Sequence, residues 1–204
     1  MTVITTIAAL EALYMPAPVL ASTAKVATRM TDAYRRYVEA SPFVALATVG
    51  PEGADCSPRG DHPGFVRIHD DETLMMPDRR GNNRIDSLRN IVRDPRCAFL
   101  FLLPGSGTTF RAQGKAHISI EPALLDSFAT DGKPPRSVIV LKIDELYFQC
   151  ARAIVRSELW NPERHIPAGT LPTPGDVLAE MTQREIDGKA YDKAWPERAR
   201  QTLW

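Results

Sequence analysis

The sequence has little that would hold it in a bilayer and little that would staple it together. No apolar stretch among its 204 residues is long enough to span a membrane. The longest such run, residues 97–103, suits a buried strand instead. Cys56, Cys97 and Cys150 are odd in number, far apart and without a CxxC pair, which argues against a disulfide framework and a zinc site. The N-terminus lacks the basic stretch of a secretory signal, and reduced thiols fit the same expectation of a cytoplasmic protein. An excess of charge of one sign is also missing. Lys and Arg total 25 and so do Asp and Glu, giving a formal net charge of +0 and a pI near 6.9. Bulk attraction to nucleic acid or to a membrane surface is therefore not expected.

Catalytic signatures are equally sparse. His62, His69, His117 and His165 are scattered and show no HExxH or paired-ligand spacing. His69-Asp70-Asp71 has metal-ligand residue types but reads more simply as a polar turn. There is no GxSxG elbow, no Walker loop and no GxGxxG after a strand. Arg59-Gly60-Asp61 is read as turn chemistry. With no nucleophile–base pair in view, any enzymatic chemistry is expected to come from a bound cofactor.

What the chain does contain is a concentrated basic block. Residues 77–96 hold six arginines against three aspartates, a local charge of +3 in a chain whose total is +0. An apolar run at 73–76 reads as a strand, and Ile85, Leu88, Ile91 and Val92 recur at helical spacing after the block. Asn83 is a good N-cap, and Asp86 three positions later makes a capping-box-like pair. A helix N-terminus surrounded by arginines has the chemistry of a phosphate site. Composition alone leaves two readings open, a solvated basic face and a specific anion site.

The remaining periodicities define the fold class. A helix is expected over 4–14, ended by Pro16 and Pro18, and a second follows with an apolar stripe at Val26, Met30, Ala33, Tyr34, Tyr37 and Val38. From Phe43 the period changes to that of strands. Strands are expected at 43–49, 54–58, 65–69, 73–76, 97–103 and 109–120, and a last β segment lies within 137–150. Gly114 marks a bulge or bend in the sixth, and 97–103 is apolar on both faces and needs cover on both. A short helix is expected at 121–128, an extended proline-bearing segment at 161–174 and helical pattern to the end. Closely spaced strands indicate an antiparallel meander: a mainly β (β + α) protein built as a small barrel of about six to seven strands with peripheral helices. The expected division is N-terminal helices over 1–40 packing on the barrel, the barrel over 41–160 and a C-terminal extension over 161–204.

Several blocks then carry a resemblance. Ser41-Pro42-Phe43-Val44-Ala45-Leu46-Ala47-Thr48, Ser57-Pro58-Arg59-Gly60-Asp61, residues 77–90, Asp94-Pro95-Arg96 and Arg156-Ser157-Glu158-Leu159-Trp160 occur in that order. Over residues 25–160 the chain resembles a subgroup of the pyridoxamine 5′-phosphate oxidase-like flavoproteins. The resemblance implies a split β-barrel, a homodimer, and FMN in two clefts at the dimer interface. It implies phosphate contacts from Arg59 and Arg84, helped by Arg79 or Arg80, with Asn82, Asn83 and Ser87 as further donors. Pro77 and Asp78 would follow the ribityl chain and ring edge through backbone groups. Thr109 would approach the flavin from the partner subunit, and Arg156 and Trp160 would close the site from the C-terminal side.

The departures bear on substrate. The C-terminal arginine–histidine element that holds substrate phosphate in the oxidases is missing, and Gln149 stands where close relatives have histidine. Both weaken the case for pyridoxamine phosphate and leave FMN binding intact. The implied function is an FMN-dependent oxidoreductase acting on a small molecule, with a non-catalytic flavin carrier or sensor as the alternative and a deazaflavin as a possible replacement for FMN. Nucleic-acid binding by the arginine block is disfavoured by the neutral charge and the lack of interleaved aromatics.

Overall fold

Alternation of covered and uncovered side chains with period two begins at Phe43 and persists through most of the β segments that follow. In the computed structural model, which describes residues 2–203, these segments form β1 (Phe43–Gly50), β2 (Gly53–Gly60), β3 (Arg67–Asp70), β4 (Thr73–Pro77), β5 (Arg96–Leu102), β6 (Thr109–Ser119) and β7 (Val138–Gln149). All neighbouring pairs are antiparallel, in one sheet of order β2-β1-β5-β6-β7-β4-β3. This is the split barrel that the family resemblance implies and the small antiparallel barrel expected from the strand spacing: the sheet curls on itself without its two edges pairing.

The helices are α1 (Ile7–Leu13), α2 (Leu20–Thr23), α3 (Asp32–Ala40), α4 (Asp86–Arg93), α5 (Pro122–Ser127), α6 (Arg152–Ser157), α7 (Pro174–Met181), α8 (Gly188–Lys193) and α9 (Trp195–Thr202). None is long and apolar enough to cross a membrane. The inward residues of the strands, among them Leu46, Leu74, Met76, Phe99, Phe101, Phe110, Leu141 and Leu146, are fully buried and form one continuous core. Helix α3 closes one end. Tyr34 and Tyr37 lay their rings 5.1 and 5.7 Å from Phe110, which itself lies 5.6 Å from Phe101.

The helical stripe expected from Val26 onward is shorter than its periodicity implied. Helix α3 starts only at Asp32, capped by Thr31 Oγ1, which accepts the Tyr34 N–H. The preceding residues are held extended because Ala27 exchanges both backbone hydrogen bonds with Leu146, at 3.0 and 2.8 Å. Two backbone bonds to a distant strand outcompete the local preference, and Val26 and Ala33 stay exposed. Helix α1 buries none of its residues, and Ile7, Leu10 and Leu13 face outward. At the other end, α7 and α8 cross at glycine. A Cβ on Gly175 would lie 2.1 Å from the Gly188 carbonyl oxygen, and the Gly175 N–H donates to Asp192 Oδ1 at 2.9 Å.

Strand β5 has one face in the core, through Cys97, Phe99 and Phe101. Its other face, Ala98, Leu100 and Leu102, is only half-buried and continues across Ala45 and Ala47 of β1. Cys97 packs as a small hydrophobe, and burial pushes its thiol up to about 12. Cys56 does not: it lies on the exposed face of β2. Cys150 is also exposed, its thiol lowered by the Arg152 backbone N–H and by the positive charges of Arg152 and Lys25. Native maleimide labelling read by mass spectrometry is therefore expected to modify Cys56 and Cys150 and spare Cys97 without unfolding the protein.

The β6–β7 ladder carries the bulge anticipated at Gly114. Register shifts because Gly114 faces Ile143 while Gln113 faces Glu145, leaving Asp144 as the extra residue on β7. A Cβ at position 114 would sit 1.9 Å from the Lys142 carbonyl oxygen and 2.8 Å from the Asp144 nitrogen. Gly114→Ala should thus force the ladder apart and cost about 1–3 kcal/mol in chemical denaturation; an unchanged midpoint would show that the close approach is not structural.

Candidate functional site

Two strands that are not neighbours in the sheet deliver side chains to one cavity. β2 lies at the sheet edge, and Asp55, Ser57 and Arg59 occupy its half-buried face while Cys56 lies on the exposed one. β4 lies on the far side of β7 and ends at Pro77, after which the Asp78 N–H donates to the Ser137 carbonyl at 2.9 Å. Curling of the sheet brings the two together, so that Arg59 Nη1 stands 3.3 Å from Asp78 Oδ1. The loop 79–85, the start of α4 and residues 135–137 complete a cavity of about 670 Å³, within the usual range for small-molecule and cofactor sites.

Helix α4 begins two residues later than Asn83 would have placed it. Its N-cap is Ile85, with φ 53° and no side-chain cap, and Asn83 itself has φ 61°. Asn tolerates the left-handed region, but a β-branched residue there is strained, and such strain concentrates at functional sites. Instead of capping, Asn83 Oδ1 accepts from Arg136 at 3.1 Å, and Asp86 pairs with Arg84 at 2.8 Å. The buried face of α4 is also more polar than its apolar spacing implied. Ser87 and Asn90 are buried with Ile91, whereas Ile85 and Val92 are exposed. The first-turn amides of α4 therefore remain unsatisfied by any side-chain cap and belong to residues that line the cavity.

The inner wall is a hydrogen-bonded chain. Ser87 Oγ donates to Asp55 Oδ2 at 2.6 Å, lies 2.9 Å from Ser57 Oγ, and receives Arg59 Nη2 at 3.4 Å. Arg59 is poorly satisfied: both contacts are long for a guanidinium, and its buried Nε has no partner among the described residues. A buried donor without a partner costs about 1–3 kcal/mol. Asp78 is the carboxylate most affected by this setting. Burial raises its pKa above the ordinary carboxylate value, and the charges of Arg59 and Arg136 offset only part of that rise.

Of the residues singled out from the sequence, Arg59, Asp78, Arg79, Arg80, Asn82, Asn83, Arg84 and Ser87 all line this cavity. Pro77 is buried at the end of β4, directly before Asp78, and is not among the residues that line the cavity. Arg79 lines the wall but spends its guanidinium structurally, donating to Asp61 at 2.7 Å and to the Phe128 carbonyl at 2.8 Å. Arg84 sits at the exposed rim. Thr109, Arg156 and Trp160 are not part of the cavity within one chain. Thr109 is buried at the start of β6, Arg156 is exposed on α6, and the Trp160 indole N–H is committed to the Ser106 carbonyl at 2.8 Å. Sequence reasoning missed Asp55, Ser57 and Arg136. Strand alternation could have supplied the first two, since both share a face of β2 with Arg59; nothing local marks Arg136. No group of three potential metal ligands converges among the described residues.

A family model described as pyridoxamine 5′-phosphate oxidase matches residues 30–150. No curated protein matches the chain. Among solved structures, HupZ of Group A Streptococcus is 19% identical over 59% of this chain and 94% of its own, with a TM-score of 0.48. General stress protein 26 of Bacillus anthracis is 17% identical over 56% of this chain and 88% of its own, with a TM-score of 0.43.

Asp78 also makes a stability prediction. Because its folded pKa is raised, the folded state holds this proton to higher pH than the unfolded chain does. The corresponding stability is fully present below the unfolded value, near about 4, and is lost as pH rises through the folded value. In thermal melts of the ligand-free protein, Asp78→Asn should therefore exceed wild type at neutral pH, with the gap closing toward pH 4. A wild-type advantage at neutral pH would mean that the Arg59 pairing outweighs burial.

Proposed function

Because the chain belongs to the pyridoxamine 5′-phosphate oxidase family, we propose that it is an FMN-binding protein and an FMN-dependent oxidoreductase acting on a small molecule. The observation that carries this reading is the under-satisfied Arg59 beside the uncapped N-terminus of α4, in a cavity of cofactor size. An anion placed there meets guanidinium, hydroxyl and backbone N–H donors together. Arg59, Ser87 and the first amides of α4 would hold the phosphate. Arg84 and Arg80 would add charge at the rim, with Asn82 and Asn83 as amide donors. Pro77 and Asp78 would border the ribityl chain and ring edge. Bound flavin supplies the hydride and electron chemistry that the chain's own side chains lack. The cavity-lining residues include no His, Lys, Cys or Tyr, so the protein's share is to bind, orient and stabilise charge.

The same reading makes the protein a homodimer with the cofactor between subunits. Two features support it. Ala45, Ala47, Ala98, Leu100 and Leu102 form a half-covered apolar sheet face, and Thr109, which the resemblance assigns to the partner's flavin, lies outside the cavity of its own chain. Sedimentation of the flavin-loaded protein at micromolar concentration should give a dimer, and a folded, loaded monomer would refute the arrangement.

Cofactor identity is tested by the absorption spectrum of the purified protein with mass spectrometry of the released chromophore. Bleaching by NADH or NADPH, followed by reoxidation on adding acceptors, marks an oxidoreductase; binding with no turnover marks a carrier. The phosphate assignment is tested by comparing FMN with riboflavin. Arg59→Ala should weaken FMN binding about ten- to a hundred-fold, the loss of one charge-assisted contact, with little effect on riboflavin. Arg84→Ala should follow the same selectivity with a smaller loss, since Arg84 is exposed and shared with Asp86. Arg93→Ala, on α4 but paired with Glu52 at the surface, should change neither. Equal losses for both flavins at position 59 would place the phosphate elsewhere.

A further inference from the structure

The cavity is not built from positive charge alone, since three carboxylates share it with five arginines. Two of the three have local partners: Asp55 accepts from Ser87, and Asp86 pairs with Arg84 at the rim. Asp78 is largely buried, with 17% of its side chain exposed, and its ion-pair partner is Arg59 at 3.3 Å. Charge-assisted bonds of good geometry are about 2.7–2.9 Å long. Arg59 in turn reaches Ser87 only at 3.4 Å and leaves Nε without a partner. Each member of this pair is therefore held near the other without being satisfied by it.

We propose that Asp78 is an internal counter-anion for Arg59 that yields the guanidinium to a ligand's phosphate and takes up a proton as it does so. This rests on reading the cavity as a cofactor-phosphate site, and it assigns Asp78 as a positioning and specificity residue. A neutral ligand cannot displace a carboxylate from an arginine, whereas a phosphate dianion can. Once Arg59 turns to the phosphate, Asp78 stays buried, loses its nearest compensating charge and gains a negative neighbour. All three changes favour the neutral carboxyl, and burial already biases Asp78 that way. The charges facing it are Arg59 from β2 and Arg136 from the segment entering β7. Around the same cavity lie Asp55 on β2, Arg79, Arg80 and Arg84 on the loop, and Asp86 on α4. With no His, Lys, Cys or Tyr among the lining residues, Asp78 is the group placed to accept the proton. Once protonated, it presents an O–H donor where the empty cavity presents only an acceptor.

The test is calorimetric titration of the full chain with FMN in buffers of different ionisation enthalpy, between pH 5.5 and 8. Wild type is compared with Asp78→Asn and, in case that variant folds poorly, Asp78→Ser. The phosphate has its own pKa near about 6, so the informative quantity is proton uptake by wild type minus that by the variant. Wild type should take up more protons than either variant. Relative to the variants, its FMN affinity should fall by up to about tenfold per pH unit above the folded pKa of Asp78, and riboflavin should show no such difference. Identical proton exchange in wild type and variants, or weaker FMN binding by both variants at every pH, would overturn the proposal. Inorganic phosphate titrated in parallel separates the two readings. Phosphate binding with Asp78-linked uptake but no FMN binding refutes the cofactor and leaves this inference standing. FMN binding without the linkage does the reverse, and failure of both ligands to bind refutes both.

Discussion

The antiparallel ladder between β6 and β7 is the constraint on which the rest depends. It is the seam between two halves of the sheet, β2-β1-β5-β6 on one side and β7-β4-β3 on the other. Its bulge at Gly114 adds local twist, and twist is what allows an open sheet to curl until its ends approach. Without that curvature β2 and β4 would lie far apart, separated by β1, β5, β6 and β7. With it, Arg59 and Asp78 meet across the gap. The same ladder sets where β7 begins, and therefore where Ser137 receives the Asp78 N–H and where Arg136 joins the rim.

The cavity formed this way combines two opposed demands. Holding a doubly charged phosphate calls for several guanidinium groups and free amides. Keeping those groups together in the empty protein calls for something to offset their repulsion. Carboxylates from β2, from the residue after β4 and from α4 supply that offset. Near the surface the pairing of Arg84 with Asp86 is weakly coupled and easily exchanged. Deeper in, Arg59 and Asp78 stand 3.3 Å apart, a long pairing in which burial penalises the Asp78 charge. The strained Ile85 fits the same logic. Its left-handed conformation delays the helix so that the first amides of α4 open onto the cavity with no side chain competing for them.

Much of this architecture is written locally. Period-two alternation marks the strands, glycine and proline mark the turns, and the arginine-rich block between a strand and a helix marks one wall of the cavity. The positions of Arg59, Asp78, Asn82, Asn83, Arg84 and Ser87 follow from their motifs, and all line the cavity. Local pattern misleads where a distant segment competes. Residues 25–30 have helical spacing, yet the backbone of Leu146 claims Ala27. Asn83 has the chemistry of a cap, yet Arg136 takes its carbonyl oxygen. Arg79 belongs to the basic block, yet Asp61 and Phe128 take its guanidinium.

The sequence by itself determined the antiparallel β architecture, the bulge glycine and the residue types of one wall, because periodicity, backbone freedom and charge are properties of neighbouring residues. Only the tertiary structure decided which charges face each other. Asp55, Ser57 and Ser87 lie up to 32 positions apart in sequence, and Arg136 is 53 positions from the Asn83 it meets. Side chains that far apart acquire a shared cavity only through the curl and register of the sheet. The raised proton affinity of Asp78 has the same origin, since burial is a property of the whole fold and of no segment within it.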